Sequence, residues 1–193
     1  MGDVHETIIQ GHKFAHKKVL FRRPIGDIER REIKILKRLS HVHIVQLVGT
    51  YTQRRYLGMI LYPVATCDLH TFFEDVEAWS GAVAGVENGS LEERRKALDS
   101  DVEARLDALQ YDFPHGDRGS WAAVVYYKMG CLVSAITYLH NQKIRHKDLK
   151  PSNILLSPGR LWLSDFGSAT DFTQLSQSAT NNERGTPRYF APE

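Results

Sequence analysis

The sequence has few cysteines, and neither lies in a recognisable cysteine motif. Its 193 residues include two, Cys67 and Cys131, which form no C-x-x-C pair and no metal-ligand spacing. This argues against a disulfide framework like that of small secreted domains and against a cysteine-based zinc site. We therefore expect a reducing compartment, and an intracellular protein of the cytoplasm or nucleus.

Long apolar runs and a large net charge are also absent. No stretch approaches the roughly 18 consecutive apolar residues that span a bilayer, so we expect no membrane anchor. The formal net charge is +2, from 25 basic and 23 acidic residues, which is too small to make nucleic acid or a membrane surface the main partner. With 42% hydrophobic residues, the chain can bury a core and form one or two compact units.

The first third of the sequence predicts strands and one helix. Alternating apolar residues predict a strand over Lys13–Phe21. A helical period follows over Ile28–Leu39, and two further strands are predicted over Ile44–Tyr51 and Tyr56–Leu61. This part of the chain is therefore expected to be mostly sheet.

Two charged residues fall on apolar faces of these elements. Lys17 shares a strand face with Ala15, and Glu32 falls on the helix side that carries Ile28 and Ile35. A carboxylate in a core-facing stripe is costly unless a cation or several donors meet it. We predict that Lys17 meets Glu32. From these residues alone, the pair is either structural or functional.

The rest of the sequence predicts mainly helices. Helical periodicity resumes near Asp68, and we interpret residues 75–119 as an insertion that carries an exposed helix with Leu106 and Leu109. The apolar face of a helix over Trp121–His140 predicts near-complete burial. Two short apolar runs then predict a hairpin, Asn153–Leu156 and Leu161–Ser164.

Three motifs follow one another in the second half: HKDLKPSN at 146–153, DFG at 165–167 and APE at 191–193. Together with FAHK at 14–17 and the carboxylate of Glu32, they resemble the signature of the eukaryotic-type protein kinase family. The block DLKPSN resembles its serine/threonine branch. The resemblance implies an α+β, two-lobed fold, with an antiparallel sheet and one helix at 1–64 and a partial, mostly helical lobe at 65–193.

The resemblance also implies roles for the polar residues of these motifs. Asp148 corresponds to the catalytic base that accepts the proton of a substrate hydroxyl. Lys150 corresponds to the cation that steadies the transferred phosphoryl group. Asn153 and Asp165 correspond to oxygen ligands of Mg²⁺, the metal implied here. The implied reaction transfers the γ-phosphate of ATP to Ser or Thr hydroxyls of a protein substrate.

The implied ATP site lies nearer the amino terminus. Lys17 would hold the α- and β-phosphates, and Glu32 would orient it. Five further residues are expected around the adenine and the hinge: Val4, Ala15, Tyr62, Val64 and Leu155.

The chain also departs from the family pattern. Lys147 replaces the usual arginine, which keeps the charge but loses the bidentate fork. Only Gly2-Asp3-Val4 resembles the glycine-rich loop, and the chain stops at Glu193. We therefore expect a catalytic domain truncated at both ends whose isolated phosphotransfer is weak or absent. The alternative is a pseudokinase or scaffold that binds partners through residues 75–119. The sequence predicts no oligomeric state.

Overall fold

The computed structural model describes residues 3–20, 27–86, 89–111 and 119–173. The APE motif and Gly2 lie outside the described residues. The fold is α+β: an antiparallel sheet and one helix come first, and a mostly helical region follows. None of the described helices is both long and apolar enough to cross a membrane.

The first sheet has four antiparallel strands in the order β1-β2-β4-β3. Their bounds are Asp3–Ile9 (β1), His12–Leu20 (β2), Gln46–Gln53 (β3) and Tyr56–Tyr62 (β4). The three predicted strands are confirmed, with small shifts of their ends, whereas β1 was not predicted. A two-residue turn joins β1 to β2, and both of its residues have positive φ, 50° at Gln10 and 81° at Gly11. This is the usual backbone of a tight hairpin.

Helix α1 spans Asp27–Leu36 and contacts β3. Its buried side includes Glu32, Ile35 and Leu36, as the helical period predicts. The prediction for Ile28 is wrong, because this side chain is 54% exposed in the first turn. The helical period describes a direction around the axis but does not show how far along the helix its neighbours extend.

Four helices make up much of the second region. They are α2 (Leu69–Gly85), α3 (Leu91–Lys96), α4 (Ser100–Ala108) and α5 (Gly119–Asn141). Asp68 caps α2 by accepting a hydrogen bond of 2.9 Å from the amide of Thr71, which satisfies one of the free N–H groups at the helix start.

The predicted insertion, residues 75–119, begins inside α2, and helix α4 within it is partly buried. Leu106 and Leu109 are buried, so the prediction of an exposed helix is wrong for α4, whereas α3 contains no buried residue. The buried carboxylate of Asp75 on α2 accepts two hydrogen bonds from Arg105 on α4, at 2.8 and 2.6 Å. This ion pair and the leucines join α4 to the core.

The prediction of near-complete burial for α5 is also wrong. Its inner side includes Ala135 and Leu139, and the helix contacts two short strands at Ile144–Arg145 and Arg160–Leu163. By contrast, Met129 is 44% exposed and Val133 is 58% exposed. Only one side of the described helix meets these strands, so the wide apolar face is divided.

Short strands flank the loop with the HKDLKPSN motif, one of them before α2 and the others after α5. They are β5 (Cys67–Asp68), β6 (Ile144–Arg145), β7 (Ile154–Ser157), β8 (Arg160–Leu163) and β9 (Thr170–Asp171). β7 and β8 form the predicted hairpin, β5 pairs with β7, and β6 pairs with β9. The loop that follows α1 also reaches β8: the amide of Leu163 donates to His43 O at 2.9 Å, and the amide of Val45 donates to Leu163 O at 3.1 Å.

Candidate active site

The first polar cluster joins β2, α1 and the loop after β8. The Nζ atom of Lys17 donates to Glu32 Oε1 at 2.7 Å and to Asp165 Oδ1 at 3.1 Å. The side chains of Lys17 and Glu32 are 16% and 6% exposed, whereas that of Asp165 is 47% exposed. The predicted contact between Lys17 and Glu32 is therefore present, and a more accessible carboxylate shares the same ammonium group.

The electrostatics of this cluster favour a charged lysine. Burial disfavours the charged amine, but the charges and hydrogen bonds of Glu32 and Asp165 outweigh this effect and raise the pKa of Lys17 above its ordinary value. A fixed ammonium group beside an accessible carboxylate suits an anionic ligand that carries its own cation.

The second polar cluster lies on the loop between β6 and β7. Lys150 Nζ lies 2.9 Å from Asp148 Oδ2. The side-chain amide of Asn153 donates to Asp148 O at 2.8 Å and to Asp148 Oδ2 at 3.1 Å. Residues 151–153 form a short 3-10 turn that brings the amide back towards the carboxylate. The cluster therefore holds an acid, a cation and an amide in one place.

His146 supports this loop through hydrogen bonds and a ring contact. The residue is 4% exposed, and burial lowers the pKa of His146, which favours the neutral form. Its Nε2 lies 2.9 Å from Ser164 O, and the amide of Asp148 donates to Nδ1 at 3.4 Å. Both contacts fit one neutral tautomer, with the proton on Nε2. The ring also makes an edge contact with buried Phe166, with 4.9 Å between the ring centroids.

Ser164 connects the two clusters, and the sequence analysis missed it. Its amide and its hydroxyl donate to Asn153 O at 2.9 and 3.0 Å. Asp165 follows directly and adopts a positive φ of 60°, which aspartate tolerates better than most residues. The signal available in the sequence was the position of Ser164, immediately before the DFG motif.

Four of the predicted adenine-site residues lie on two different sheets, and the fifth lies in a loop. In the first sheet, Val4 lies opposite Lys17, and Ala15 lies opposite Leu61. Tyr62 ends β4. The fourth residue, Val64, follows in the loop that leads to β5.

The remaining adenine-site residue, Leu155, lies on β7 in the second sheet and is partly buried against the core. The adenine-binding roles of all five stay predictions.

The donor set of the two clusters fits magnesium. Among residues 3–20, 27–86, 89–111 and 119–173, no group of three or more His, Cys, Asp or Glu side chains is suited to hold a metal ion. Asp165 offers a carboxylate, and Asn153 offers its amide oxygen, because its nitrogen donates to Asp148. Two hard oxygen ligands are few for calcium but suit magnesium, which keeps waters and takes phosphate oxygens.

A lysine–glutamate pair beside a DFG aspartate, with an aspartate, a lysine and an asparagine on the neighbouring loop, is an arrangement typical of a phosphotransferase site. The whole chain, residues 1–193, matches the protein kinase domain family. The chain therefore belongs to the protein kinase family.

Three similar proteins are named as protein kinases. The serine/threonine-protein kinase RUNKEL of Arabidopsis thaliana is 49% identical over 165 residues, which are 84% of this chain and 9% of that protein. The serine/threonine-protein kinase fused of Drosophila melanogaster is 30% identical over 165 residues, 85% of this chain and 15% of that protein. The calcium/calmodulin-dependent protein kinase kinase of Caenorhabditis elegans is 30% identical over 177 residues, 90% of this chain and 25% of that protein. The chain thus spans at most a quarter of these relatives.

Proposed function

We propose that this protein is a serine/threonine protein kinase that transfers the γ-phosphate of ATP to hydroxyl groups of a protein substrate. The observation that carries the proposal is the convergence of five polar residues from distant parts of the chain. Lys17, Glu32 and Asp165 share hydrogen bonds, and Ser164 links them through the chain to Asn153, which contacts Asp148. The names of the similar proteins support the serine/threonine class.

Each side chain has one task in this proposal. Lys17 binds the α- and β-phosphates, and Glu32 keeps its ammonium group in position. Asp148 orients the substrate hydroxyl and accepts its proton, and Lys150 binds the oxygens of the moving phosphoryl group. Asn153 and Asp165 are the residues that would hold magnesium, which neutralises phosphate charge when bound. Val4, Ala15 and Leu155 would surround the adenine, with main-chain groups near Tyr62 and Val64 beside it.

We also propose that residues 1–64 form the lobe that covers the nucleotide and that residues 65–193 contribute to the lobe that binds protein substrate. Both cysteines, Cys67 and Cys131, are free thiols, and burial, with smaller effects from nearby carboxylates, raises the pKa of Cys67 to about 12. Free thiols support an intracellular location, because they persist in reducing compartments.

The test uses the full-length protein and has two readouts. Phosphate transfer is followed with radiolabelled ATP, and nucleotide binding is followed by the melting temperature with ATP and Mg²⁺. Radiolabelled ATP, Mg²⁺ and a generic basic protein substrate are supplied to the wild type and to Asp148→Asn. The matched control is Asp107→Asn, which removes the charge from a carboxylate that is 49% exposed on α4. Loss of a general base lowers the rate by about 10²–10⁴-fold, so we expect label to be incorporated by the wild type and the control but not by Asp148→Asn.

The scaffold alternative makes a different prediction. A pseudokinase would incorporate no label above the Asp148→Asn background, even if ATP and Mg²⁺ raised its melting temperature. That result would reject the proposed activity. Label confined to serine and threonine in the product supports the substrate class, and label on tyrosine alone would contradict it.

A further inference from the structure

Ser164 directs every one of its polar groups to residues of the site. Its amide and its hydroxyl both donate to Asn153 O, at 2.9 and 3.0 Å, and its carbonyl oxygen lies 2.9 Å from His146 Nε2. The hydrogen bond from the Ser164 amide extends the ladder of the β7–β8 hairpin by one step beyond the pair Ile154 and Leu163. Any residue at 164 except proline can make that bond. The second hydrogen bond, from the hydroxyl, requires serine or threonine at this position.

The position of this second bond matters because the ladder ends there. Directly after Ser164, the chain leaves the strand with the positive φ of Asp165. Asn153 is 5% exposed, and its side-chain amide is held by Asp148. Two donors on one carbonyl fix the tilt of the Asn153 peptide as well as its distance. The hydroxyl bond therefore restrains Ser164, which directly precedes Asp165. It also restrains the peptide of Asn153.

We propose that Ser164 is a positioning residue for the magnesium site: its hydroxyl holds the amide of Asn153 and the carboxylate of Asp165 at the separation that one ion requires. This inference rests on the proposed function. Ser164 does not touch the nucleotide or the metal in this proposal. Its effect reaches the ion through the two ligands.

The experiment titrates Mg²⁺ in the full-length protein and follows binding of a fluorescent ATP analogue, so that the readout does not depend on turnover. A neutral hydrogen bond changes an equilibrium constant by about two- to tenfold. We expect Ser164→Ala to raise the half-saturating Mg²⁺ concentration by about this factor. The melting temperature without ligand should fall only slightly, by about 2–4 °C as for the loss of one hydrogen bond, the KM for the peptide substrate should stay at the wild-type value, and kcat should recover at saturating Mg²⁺.

Three further variants separate positioning from general damage. Ser164→Thr keeps the hydroxyl and should restore the wild-type Mg²⁺ requirement, whereas Ser164→Cys keeps the volume, weakens the hydrogen bond and should behave like alanine. Ser157→Ala removes a hydroxyl from the other end of β7 and should leave the titration unchanged. An unchanged Mg²⁺ midpoint in Ser164→Ala overturns the inference. A loss of nucleotide binding at every Mg²⁺ concentration, in proportion to a fall in melting temperature, also overturns it.

Failure of the proposed function would look different. In that case the wild type itself would show no Mg²⁺-dependent nucleotide binding, and Asp165→Ala would match it. A wild type that binds Mg²⁺ and ATP, together with a Ser164→Ala variant that binds both equally well, would leave the proposed function intact and reject only the positioning role.

Discussion

Replacing Glu32 with glutamine tests whether the buried pair with Lys17 serves the nucleotide site or only the fold. The change removes one charge and keeps the shape of the side chain. Lys17 would retain Asp165, 3.1 Å away, but that carboxylate is 47% exposed and solvent screens it. The ammonium group would therefore be free to move towards Asp165 and away from the position at which Glu32 holds it.

The size of the effect follows from the geometry. At 2.7 Å and an effective dielectric constant near 20, the pair attracts with about 6 kcal/mol, and desolvation of both groups offsets much of this. Breaking a buried pair costs about 3–5 kcal/mol. Because Asp165 still compensates Lys17, we expect a loss of about 1–3 kcal/mol in the free energy of unfolding. For catalysis, we expect kcat/KM for ATP to fall by about 10- to 100-fold, or about 1.4–2.7 kcal/mol.

The assay compares Glu32→Gln with Glu29→Gln, which makes the same change one turn earlier on α1. Kinetics with ATP as the varied substrate are measured beside urea unfolding. Only Glu32→Gln should lower kcat/KM, and adding it to Lys17→Met should cost far less than the sum of the two single changes. If both glutamines lower kcat/KM equally, or if Glu32→Gln lowers stability alone, the pair is structural and our reasoning about Lys17 is wrong.

Two further predictions concern stability. Arg105→Met removes the partner of the buried Asp75 carboxylate and should lower the free energy of unfolding, measured with urea, by about 3–5 kcal/mol. The control, Arg95→Met on α3, should lower it by under about 1 kcal/mol. Equal losses would contradict a buried role for the pair of Asp75 and Arg105. Burial lowers the pKa of His146 in the folded state, so the unfolded chain binds more protons below about pH 6.5, and stability should fall as the pH drops from there. His146→Gln should flatten this dependence more than His140→Gln, and parallel curves would refute it.

Much of the site could be predicted because each motif is local. The HKDLKPSN block places a carboxylate, a cation and an amide within eight positions, and such short spacing leaves the chain few ways to separate them. The pairing of Lys17 with Glu32 followed from the cost of burying charge: both residues fell on apolar faces, and each needed a partner of opposite sign. The β7–β8 hairpin then accounts for the return of the chain from Asn153 to Asp165.

The failed predictions share a physical cause. Periodicity shows which side of a helix is apolar, but not whether another element covers it, so the burial of α5 was predicted too high and that of α4 too low. The buried pair of Asp75 and Arg105 was invisible because the two residues lie 30 positions apart. Each of them alone resembles an ordinary surface charge.

The end of β8 explains how distant parts of the site keep a common geometry. The loop after α1 makes two main-chain hydrogen bonds with Leu163, at 2.9 and 3.1 Å. The next residue, Ser164, is bonded to Asn153, and the one after it is Asp165. The helix that carries Glu32 and both proposed metal ligands are thus attached to three consecutive residues. Main-chain bonds of this kind do not depend on side-chain identity, so substitutions elsewhere on α1 should alter the position of Glu32 without separating Asn153 from Asp165.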